Sequence, residues 1–246
     1  MLRRSLPCLL LVVYSVAAQP KATHPTTGRE IAPVMGVGGA DWLVRSEREA
    51  EEAPAAALDA IGLKRGDVVA DIGAGVGYFT WRMAERVGPE GKVYANEFQP
   101  RMLEQLKKNV ASRGLTNVVP VLGAEDDPKL PAGKLDLELL VDVYHEFSQP
   151  QKMLARLREA LKPSGRLVLL EYRKEDPSVP IKLAHKMTVQ EVRAEIEPEG
   201  FRFETSLETL PRQHILIFRL AGSVKTAQLS GSDAANSFPF SKDPLI

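Results

Sequence analysis

The sequence has almost no cysteine, few aromatic residues and no excess of charge of either sign. Cys8 is the only cysteine among 246 residues, which excludes an internal disulfide and a cysteine-based zinc site. Lys and Arg total 32, as do Asp and Glu, and this net charge of +0 argues against nonspecific nucleic-acid binding. The 18 glycines and 18 prolines form no repeat, which excludes collagen-like and solenoid folds. A content of 44% hydrophobic and 26% charged residues indicates a globular protein with a core.

The longest apolar run is at the N-terminus, where two arginines precede the stretch 6–16 and the small residues Ala17 and Ala18. This order is typical of a secretory signal peptide, with cleavage after Ala17 or Ala18. The run is about half the roughly 20 residues that span a bilayer, so we expect no stable membrane span after cleavage. Residues 1–18 are therefore predicted to direct export to the periplasm or the cell exterior. An uncleaved membrane anchor and a buried N-terminal helix are the alternatives.

The rest of the chain divides into three parts by composition. Residues 19–40 contain several prolines and glycines and are predicted to be an irregular lead-in. Residues 41–220 carry the apolar patterns of one domain, which we expect to open with a helix over 41–60. Residues 221–246 lack the large apolar side chains needed for a core and are predicted to be a disordered tail.

Short apolar runs rich in β-branched residues alternate with helical patterns through the predicted domain. Five of them read as strands: 67–72, 92–96, 118–122, 135–143 and 166–170. This alternation predicts βαβ units and an α/β fold, a three-layer αβα Rossmann-like sheet that is mostly parallel. The runs 201–210 and 214–220 leave no room for a helix between them, so they are expected to form a hairpin that adds an antiparallel strand. Ser148 and Thr188 are predicted to cap two of the helices.

The turn after the first strand contains glycines at alternate positions, Gly73, Gly75 and Gly77. Such a turn lets a ligand lie against backbone amides at a helix start. A dinucleotide fingerprint places its third glycine five residues after the first, whereas here the spacing is four. Asp71 would repel a pyrophosphate and suits a cationic ligand such as S-adenosylmethionine (SAM). Glu97 closes the second strand, where an acid can accept hydrogen bonds from both ribose hydroxyls.

These motifs together resemble the class I SAM-dependent methyltransferases over roughly residues 60–220, and within that class the type 11, small-molecule and quinone methyltransferases. The stretch 161–167 is similar to the segment that leads into the fifth strand of that family. The stretches 142–147 and 185–188 resemble a group of exported, uncharacterised bacterial members. The resemblance implies SAM as the cofactor and a sheet of about seven strands whose last strand is antiparallel.

The resemblance also implies which residues contact SAM: Asp71, Gly73, Gly75, Gly77, Glu97, Phe98 and Asp126. In that assignment the glycines line the methionine part and Asp71 receives the amino group. Glu97 holds the ribose, Phe98 packs on the adenine, and Asp126 lies near the adenine amino group. A solvated turn is the alternative for Asp126, and the alignment there could be displaced by one residue.

The acceptor side is predicted to follow the fourth strand. His145 is the candidate general base, because imidazole titrates near neutral pH, and Asp142 is the candidate for orienting a neighbouring donor. A structural histidine and a helix cap are the respective alternatives. Tyr144, Tyr172 and His185 are predicted to contact the substrate. No metal-ligand spacing stands out, so no metal is expected.

Two acidic features of the sequence need an explanation. Glu138 falls in the fourth predicted strand, so it is expected either near the exposed start of that strand or paired with a cation. The charged run 171–176 is expected to be a solvated face.

The leading hypothesis is therefore a SAM-dependent methyltransferase that acts by in-line displacement on an unidentified acceptor, with a small molecule as the expected partner. One alternative is an exported, non-catalytic SAM- or nucleoside-binding module, because SAM is made in the cytoplasm. The other is an NAD(P)-dependent oxidoreductase, against which the glycine spacing and Asp71 both count. No oligomeric state follows from the sequence.

Overall fold

The structure is a computed structural model that describes residues 21–222. The predicted signal peptide, residues 1–18, and residues 223–246 of the predicted tail lie outside this range. Among the described residues, no helix combines the length and the apolar character needed to cross a bilayer.

Within residues 21–222, eight strands form one mixed sheet. They are β1 (Val68–Ile72), β2 (Lys92–Glu97), β3 (Val118–Leu122), β4 (Leu135–Val141), β5 (Leu161–Arg173), β6 (Lys186–Met187), β7 (Phe201–Leu207) and β8 (Gln213–Leu220). The order across the sheet is β3-β2-β1-β4-β5-β8-β7, and the two-residue β6 also pairs with β5. The strands β1 to β6 run parallel, whereas β8 is antiparallel to both β5 and β7. The predicted mostly parallel sheet with an antiparallel hairpin is confirmed, and β6 is an addition that the sequence did not indicate.

Six α-helices cover the two faces of the sheet within the same range. They are α1 (Arg48–Glu52), α2 (Pro54–Ile61), α3 (Thr80–Val87), α4 (Pro100–Ser112), α5 (Pro150–Ala160) and α6 (Val189–Ile196). Val93 and Ala95 of β2 point to one face, where Val93 packs with α2 and α3 and Ala95 packs with α4. Leu140 and Leu169 point to the opposite face, against α5 and α6. Burying each such aliphatic side chain contributes about 1.5–3 kcal/mol, so the central strands are apolar on both faces.

The opening helix predicted over residues 41–60 is wrong in its extent. Two 3₁₀ turns lie at Val37–Gly39 and Trp42–Val44, and they are followed by α1 and α2. Ala53 separates these helices with a φ of 47°, in the left-handed region. Pro54 starts α2, because proline fits the first position of a helix but cannot continue one.

The two predicted helix caps have opposite outcomes. Thr188 caps α6 through a complete capping box, in which its hydroxyl accepts the Glu191 amide and the Glu191 carboxylate accepts the Thr188 amide. The cap at Ser148 is wrong, since α5 begins after Gln149 without a side-chain cap. The Ser148 hydroxyl instead donates to Glu125, 2.9 Å away, in the loop that follows β3.

Glu138 contradicts both expectations made for it. The residue is fully buried in the middle of β4, between Ala70 of β1 and Leu167 of β5. Neither carboxyl oxygen has a hydrogen-bond partner within the described part of the chain. Burial raises the pKa of Glu138 well above its ordinary value, so the sheet holds it as a neutral acid.

The fold brings the ends of β1 and β4 together. β1 pairs with β2 on one side and with β4 on the other, so the strand order reverses between β1 and β4. Ile72 at the end of β1 pairs with Leu140 near the end of β4. The turn that follows β1 therefore adjoins the segment that follows β4, at the crevice where open α/β sheets bind ligands.

Candidate active site

The turn after β1 is built for close approach of a ligand to the backbone. Gly73 and Gly75 have φ values of 65° and 56°, which residues other than glycine adopt only with strain. A Cβ atom at Gly73 would lie 2.5 Å from a methyl carbon of Val143, and one at Gly75 would lie 2.9 Å from Leu43. Gly73 is thus favoured both by conformation and by space, and Gly75 mainly by conformation, because Leu43 meets it with the end of a flexible side chain.

Asp71 lies under this turn with its carboxyl buried. The Thr80 hydroxyl, at the start of α3, donates to Asp71 Oδ2 over 2.6 Å. Burial raises the pKa of Asp71 to about 7, although the Thr80 hydrogen bond and the charge of Arg48 act in the opposite direction. A cationic ligand beside this carboxyl would restore its ionised form.

Glu97 ties the end of β2 to the glycine turn. Its Oε2 accepts the Gly75 amide over 3.0 Å, and its Oε1 accepts the Gln99 amide over 2.8 Å. Burial raises the pKa of Glu97, and these backbone hydrogen bonds oppose the shift. The carboxylate is held rigidly at the rim where a ribose would lie above the turn.

A cavity of about 610 Å³ opens above the ends of β1, β2 and β4. Among the residues predicted to bind cofactor or substrate, most line it: Asp71, Gly73, Gly75, Glu97, Phe98, Asp142, His145, Tyr172 and His185. The structure thus gathers residues that are far apart in the sequence around one volume. Its size falls in the range of about 300–1,000 Å³ typical of small-ligand sites.

The lead-in, residues 21–40, and the turns that follow it form a wall that sequence reasoning missed. Val34, Met35, Trp42 and Leu43 line the cavity. The carbonyl of Met35 accepts a hydrogen bond of 2.9 Å from the Gln99 side chain. The apolar side chains within a stretch rich in proline and glycine were the available signal, but their place over the cavity depends on tertiary packing.

His145 has a partner that was not predicted. Its Nδ1 lies 2.6 Å from Oε2 of Glu171, and its Nε2 lies 3.1 Å from Nδ1 of His185. Glu171 is fully buried at the end of β5, so the expectation that the run 171–176 is entirely a solvated face is wrong. Its other oxygen accepts the Tyr144 amide over 3.1 Å. The position of Glu171 directly after the apolar run 167–170 was the available signal, which the prediction of a solvated face did not use.

Two ionisable groups next to His145 have shifted pKa values. Burial raises the pKa of Glu146 to about 7, and the electrostatic interaction with the neighbouring His145 acts in the opposite direction. Burial lowers the pKa of His185, and the nearby His145 and Lys182 add to the effect. Both side chains line the cavity.

Asp142 and Tyr172 belong to a second polar cluster at the cavity floor. Asp142 has a φ of 52° and its Oδ2 accepts the Gln213 side-chain amide over 2.7 Å. Tyr172 donates its hydroxyl to Glu52 over 2.9 Å, and Arg48 donates to the other oxygen of Glu52 over 2.7 Å. Burial raises the pKa of both Asp142 and Tyr172. Asp142 therefore contacts Gln213, whereas the carboxyl group that contacts His145 is that of Glu171.

Three residues of the predicted site lie outside the cavity lining. Gly77 has a φ of 90° and supports the turn beside Leu106. Tyr144 is fully buried and packs edge-on against Phe147, with ring centroids 5.6 Å apart. Asp126 lies 3.6 Å from the Lys152 ammonium at the surface, while the two residues before it, Ala124 and Glu125, line the cavity. The acid that faces the cavity is displaced by one residue from the predicted one.

This sheet order, with a glycine turn after β1 and an acid closing β2, defines a class I SAM-dependent methyltransferase fold. Residues 63–209 match the family model described as "Methyltransferase domain", and the chain belongs to this family. The predicted class, its enzymatic nature and SAM as the cofactor are thereby confirmed.

Relatives of known name agree with this assignment. A ubiquinone/menaquinone biosynthesis C-methyltransferase of Francisella tularensis subsp. novicida is 29% identical over 121 residues, which cover 49% of this chain and 48% of that protein. A protein-L-isoaspartate O-methyltransferase of Ignicoccus hospitalis is 38% identical over 79 residues, covering 32% of this chain and 37% of the relative. The chain thus matches about half the length, or less, of these curated relatives.

Among solved structures, a SAM-dependent methyltransferase from Aquifex aeolicus superposes with a TM-score of 0.73. It is 26% identical in sequence, and the match covers 76% of this chain and 100% of that chain. The residues of the cavity fit SAM, because Asp71 and Glu97 offer two carboxyl groups on either side of a glycine turn that lets a ligand approach the backbone. These groups suit the amino and ribose parts of SAM.

Proposed function

We propose that the protein transfers the methyl group of SAM to a small organic acceptor bound in the same cavity. The observation that carries this proposal is the two-sided cavity of about 610 Å³. One wall is the glycine turn with Asp71 and Glu97, and the other contains His145 and His185 among apolar side chains. The volume has room for a cofactor and for a second, small reactant beside it.

In this proposal the residues of the chain bind the two reactants and accept the proton of the methyl acceptor. When bound, SAM supplies an activated methyl group, because its sulfur carries a positive charge. Asp71 and Glu97 would hold its amino and ribose parts and point the methyl group toward the wall of His145. Glu171 contacts Nδ1 of His145 over 2.6 Å, so Nε2 is the ring nitrogen left to accept a proton, with Nδ1 of His185 3.1 Å away. His145 would take the proton of the acceptor as the new bond to the methyl carbon forms in line with the breaking bond to sulfur, which keeps that electron pair.

The walls of the cavity favour a small acceptor. Val34 and Met35 line it on the side of the lead-in, and Pro180 and Ile181 line it on the side of the loop after β5. These apolar side chains suit a small apolar acceptor. One of the named relatives is a C-methyltransferase of ubiquinone and menaquinone biosynthesis, which supports an acceptor of this size.

Calorimetric titration with SAM tests the cofactor half of this proposal. Glu97→Gln keeps the shape but removes the negative charge and replaces one acceptor oxygen with an NH2 donor, so we expect SAM affinity to fall by about tenfold or more, or roughly 1.5–3 kcal/mol. His214→Asn is the matched control, because His214 contacts Glu208 and Glu175 away from the cavity. A wild-type chain that fails to bind SAM would contradict the proposal.

Transfer of tritiated methyl groups tests the acceptor half. The full chain is incubated with methyl-labelled SAM and a cell extract that ultrafiltration has separated into small and macromolecular fractions. We expect label in the small-molecule fraction and formation of S-adenosylhomocysteine. Label confined to the macromolecular fraction would refute a small acceptor, and SAM binding without any turnover would favour a non-catalytic binding module.

We propose also that the protein is exported. The support is the order of arginines, apolar stretch and small residues within residues 1–18. N-terminal sequencing of the protein from fractionated cells should find Ala18 or Gln19 as the first residue, outside the cytoplasm. Cytoplasmic protein that retains Met1 would contradict export, and membrane-bound protein that retains Met1 would support the uncleaved anchor.

A further inference from the structure

Three side chains of the kind that bind metals converge on the acceptor wall of the cavity: His145, Glu146 and His185. One nitrogen of each histidine and one oxygen of the glutamate all lie within 4.8 Å of one another. His145 and His185 are 40 residues apart in the sequence, so no motif spacing could reveal the cluster. We refer to these residues as the acceptor triad.

The distances within the acceptor triad fit shared ligation of one cation. Ligand atoms about 2.1 Å from a metal stand roughly 3.0 Å apart at a right angle and about 3.4 Å apart at the tetrahedral angle. Nε2 of His145 lies 3.1 Å from Nδ1 of His185, within that range. The 3.8 Å between His185 Nδ1 and Glu146 Oε1 exceeds it slightly, and rotation of the glutamate side chain would close the difference.

Glu171 prepares His145 for such a role. Its Oε2 lies 2.6 Å from Nδ1 of His145, and its Oε1 is fixed by the Tyr144 amide. With Nδ1 held by the carboxyl group, Nε2 is the nitrogen available to a metal, and it lies 3.1 Å from Nδ1 of His185. Metal-binding histidines commonly donate the N–H of their second ring nitrogen to a carboxylate, which fixes the orientation of the ring and raises its basicity.

The formal charges of the surrounding groups also favour a cation. Glu146 and Glu171 supply two carboxyl groups and Lys182 one ammonium group at the cavity lining, whereas the guanidinium of Arg29, which donates to the His145 carbonyl, is paired with Glu195. The side chain of His145 is 1% exposed, whereas those of Glu146 and His185 are 14% and 24% exposed. The site is thus anchored in the core on one side and open to the cavity on the other.

We propose that the acceptor triad binds one divalent transition metal, such as Zn²⁺ or Fe²⁺, and thereby selects a planar apolar acceptor that bears an acidic hydroxyl group. Two imidazoles and one carboxylate suit these metals and leave coordination positions open. The inference rests on the proposed methyl transfer, to which it adds a substrate class. The cation would lower the pKa of the acceptor hydroxyl, and His145 would then act as a ligand instead of a free base.

The apolar part of the same wall determines the shape of that acceptor. Met153, Phe147 and Ile181 line the cavity beside the acceptor triad. A cation favours an anionic oxygen, and the apolar side chains favour a ring, so a phenol-like or enol-like compound satisfies both. The released hydroxyl proton would leave to solvent past the exposed side of His185. The oxygen lone pair would form the bond to the methyl carbon as the bond from that carbon to the sulfur of SAM breaks, with its electron pair staying on sulfur.

The test uses Co²⁺ as a spectroscopic probe on the full chain after chelator treatment. Co²⁺ titration is followed by calorimetry and by visible absorption, without any acceptor. We expect one Co²⁺ per chain, with a spectrum typical of nitrogen and oxygen ligation. His185→Ala and Glu146→Gln should each weaken binding at least about tenfold, and Glu171→Gln by about 10–100-fold. The variants His185→Ala and Glu146→Gln alter partly exposed residues, and thermal unfolding establishes that they remain folded.

His214→Asn is the matched control, because His214 lies between two carboxylates, 2.8 and 2.9 Å away, outside the cavity. Co²⁺ binding that is unaffected in this variant and lost in the two triad variants would support the proposal. Failure to bind Co²⁺, or equal weakening by His214→Asn, would overturn it. A parallel SAM titration separates the two proposals: retained SAM binding without Co²⁺ binding refutes only the metal site, whereas absent SAM binding refutes the methyl transfer.

Discussion

Asp71 should make SAM binding depend on pH in the slightly acidic range. In the free protein its carboxyl is buried beneath the glycine turn, and burial raises its pKa to about 7. A protonated Asp71 offers no charge to the ammonium group of SAM, so binding has to remove the proton first. Arg48 and Glu97 face this carboxyl with opposite charges, and Thr80 donates a hydrogen bond to it.

The size of the effect follows from the ionised fraction of Asp71. With a pKa of about 7, the carboxyl is about 50% ionised at pH ~7 and about 3% ionised at pH ~5.5, so SAM affinity should fall roughly 16-fold over this interval. The amino group of SAM stays protonated throughout, because α-amino groups titrate near pH ~8. The same pKa shift makes the stability of the folded protein change with pH in the opposite direction to SAM affinity. The raised pKa favours the folded state fully below the ordinary value of 3.8, and this contribution is lost as the pH rises through about 7.

Calorimetry in two buffers of different ionisation enthalpy measures both the affinity and the protons released. Below pH ~7, each SAM bound should release up to about one proton, and the release should disappear at higher pH. Asp71→Asn should bind SAM weakly and without this pH dependence, which separates Asp71 from the other buried acids of the cavity. Identical pH profiles for the wild type and Asp71→Asn would refute the reasoning.

Three further predictions test the site and the core. Gly73→Ala places a Cβ 2.5 Å from a valine methyl at a positive φ. We expect a loss of about 1–3 kcal/mol in stability, measured by thermal unfolding, and weaker SAM binding, measured by calorimetry. Gly36→Ala is the control, because its Cβ meets no atom within 4 Å and should change neither quantity. Glu138→Val removes a buried acid without a partner in the described chain, so urea unfolding at neutral pH should show a gain of about 1–3 kcal/mol, and a loss would reveal a stabilising partner. Asp126→Asn should leave SAM affinity within about twofold and Glu125→Gln should lower it, while the reverse order would restore the assignment to Asp126.

Local patterns were sufficient for the strands and for the cofactor side of the cavity. The β-branched runs that begin near Val68, Lys92 and Val118 became β1, β2 and β3, because β-branched side chains fit the pleated surface of a sheet. The glycine turn could be read for a similar reason: a positive φ and a crowded neighbour leave glycine as the residue that fits. Each of these signals lies within a few consecutive residues.

The helix boundaries near the N-terminus could not be predicted from the sequence. Composition over residues 41–60 favoured one helix, but the left-handed Ala53 divides it, and the preceding segment packs over the cavity. Glu138 shows a related difficulty, since strand pattern alone could not reveal that it is buried as a neutral acid. Both features depend on contacts with distant parts of the chain.

The sequence by itself determined the class of sheet, the glycine turn and the acids at the ends of β1 and β2, because periodicity and backbone conformation are local properties. Only the tertiary structure decided what surrounds His145. Glu171 from β5 and His185 from the loop before β6 meet it because parallel strands end at the same edge of the sheet. Partners that chain topology brings together from 26 and 40 residues away leave no spacing in the sequence by which to recognise them.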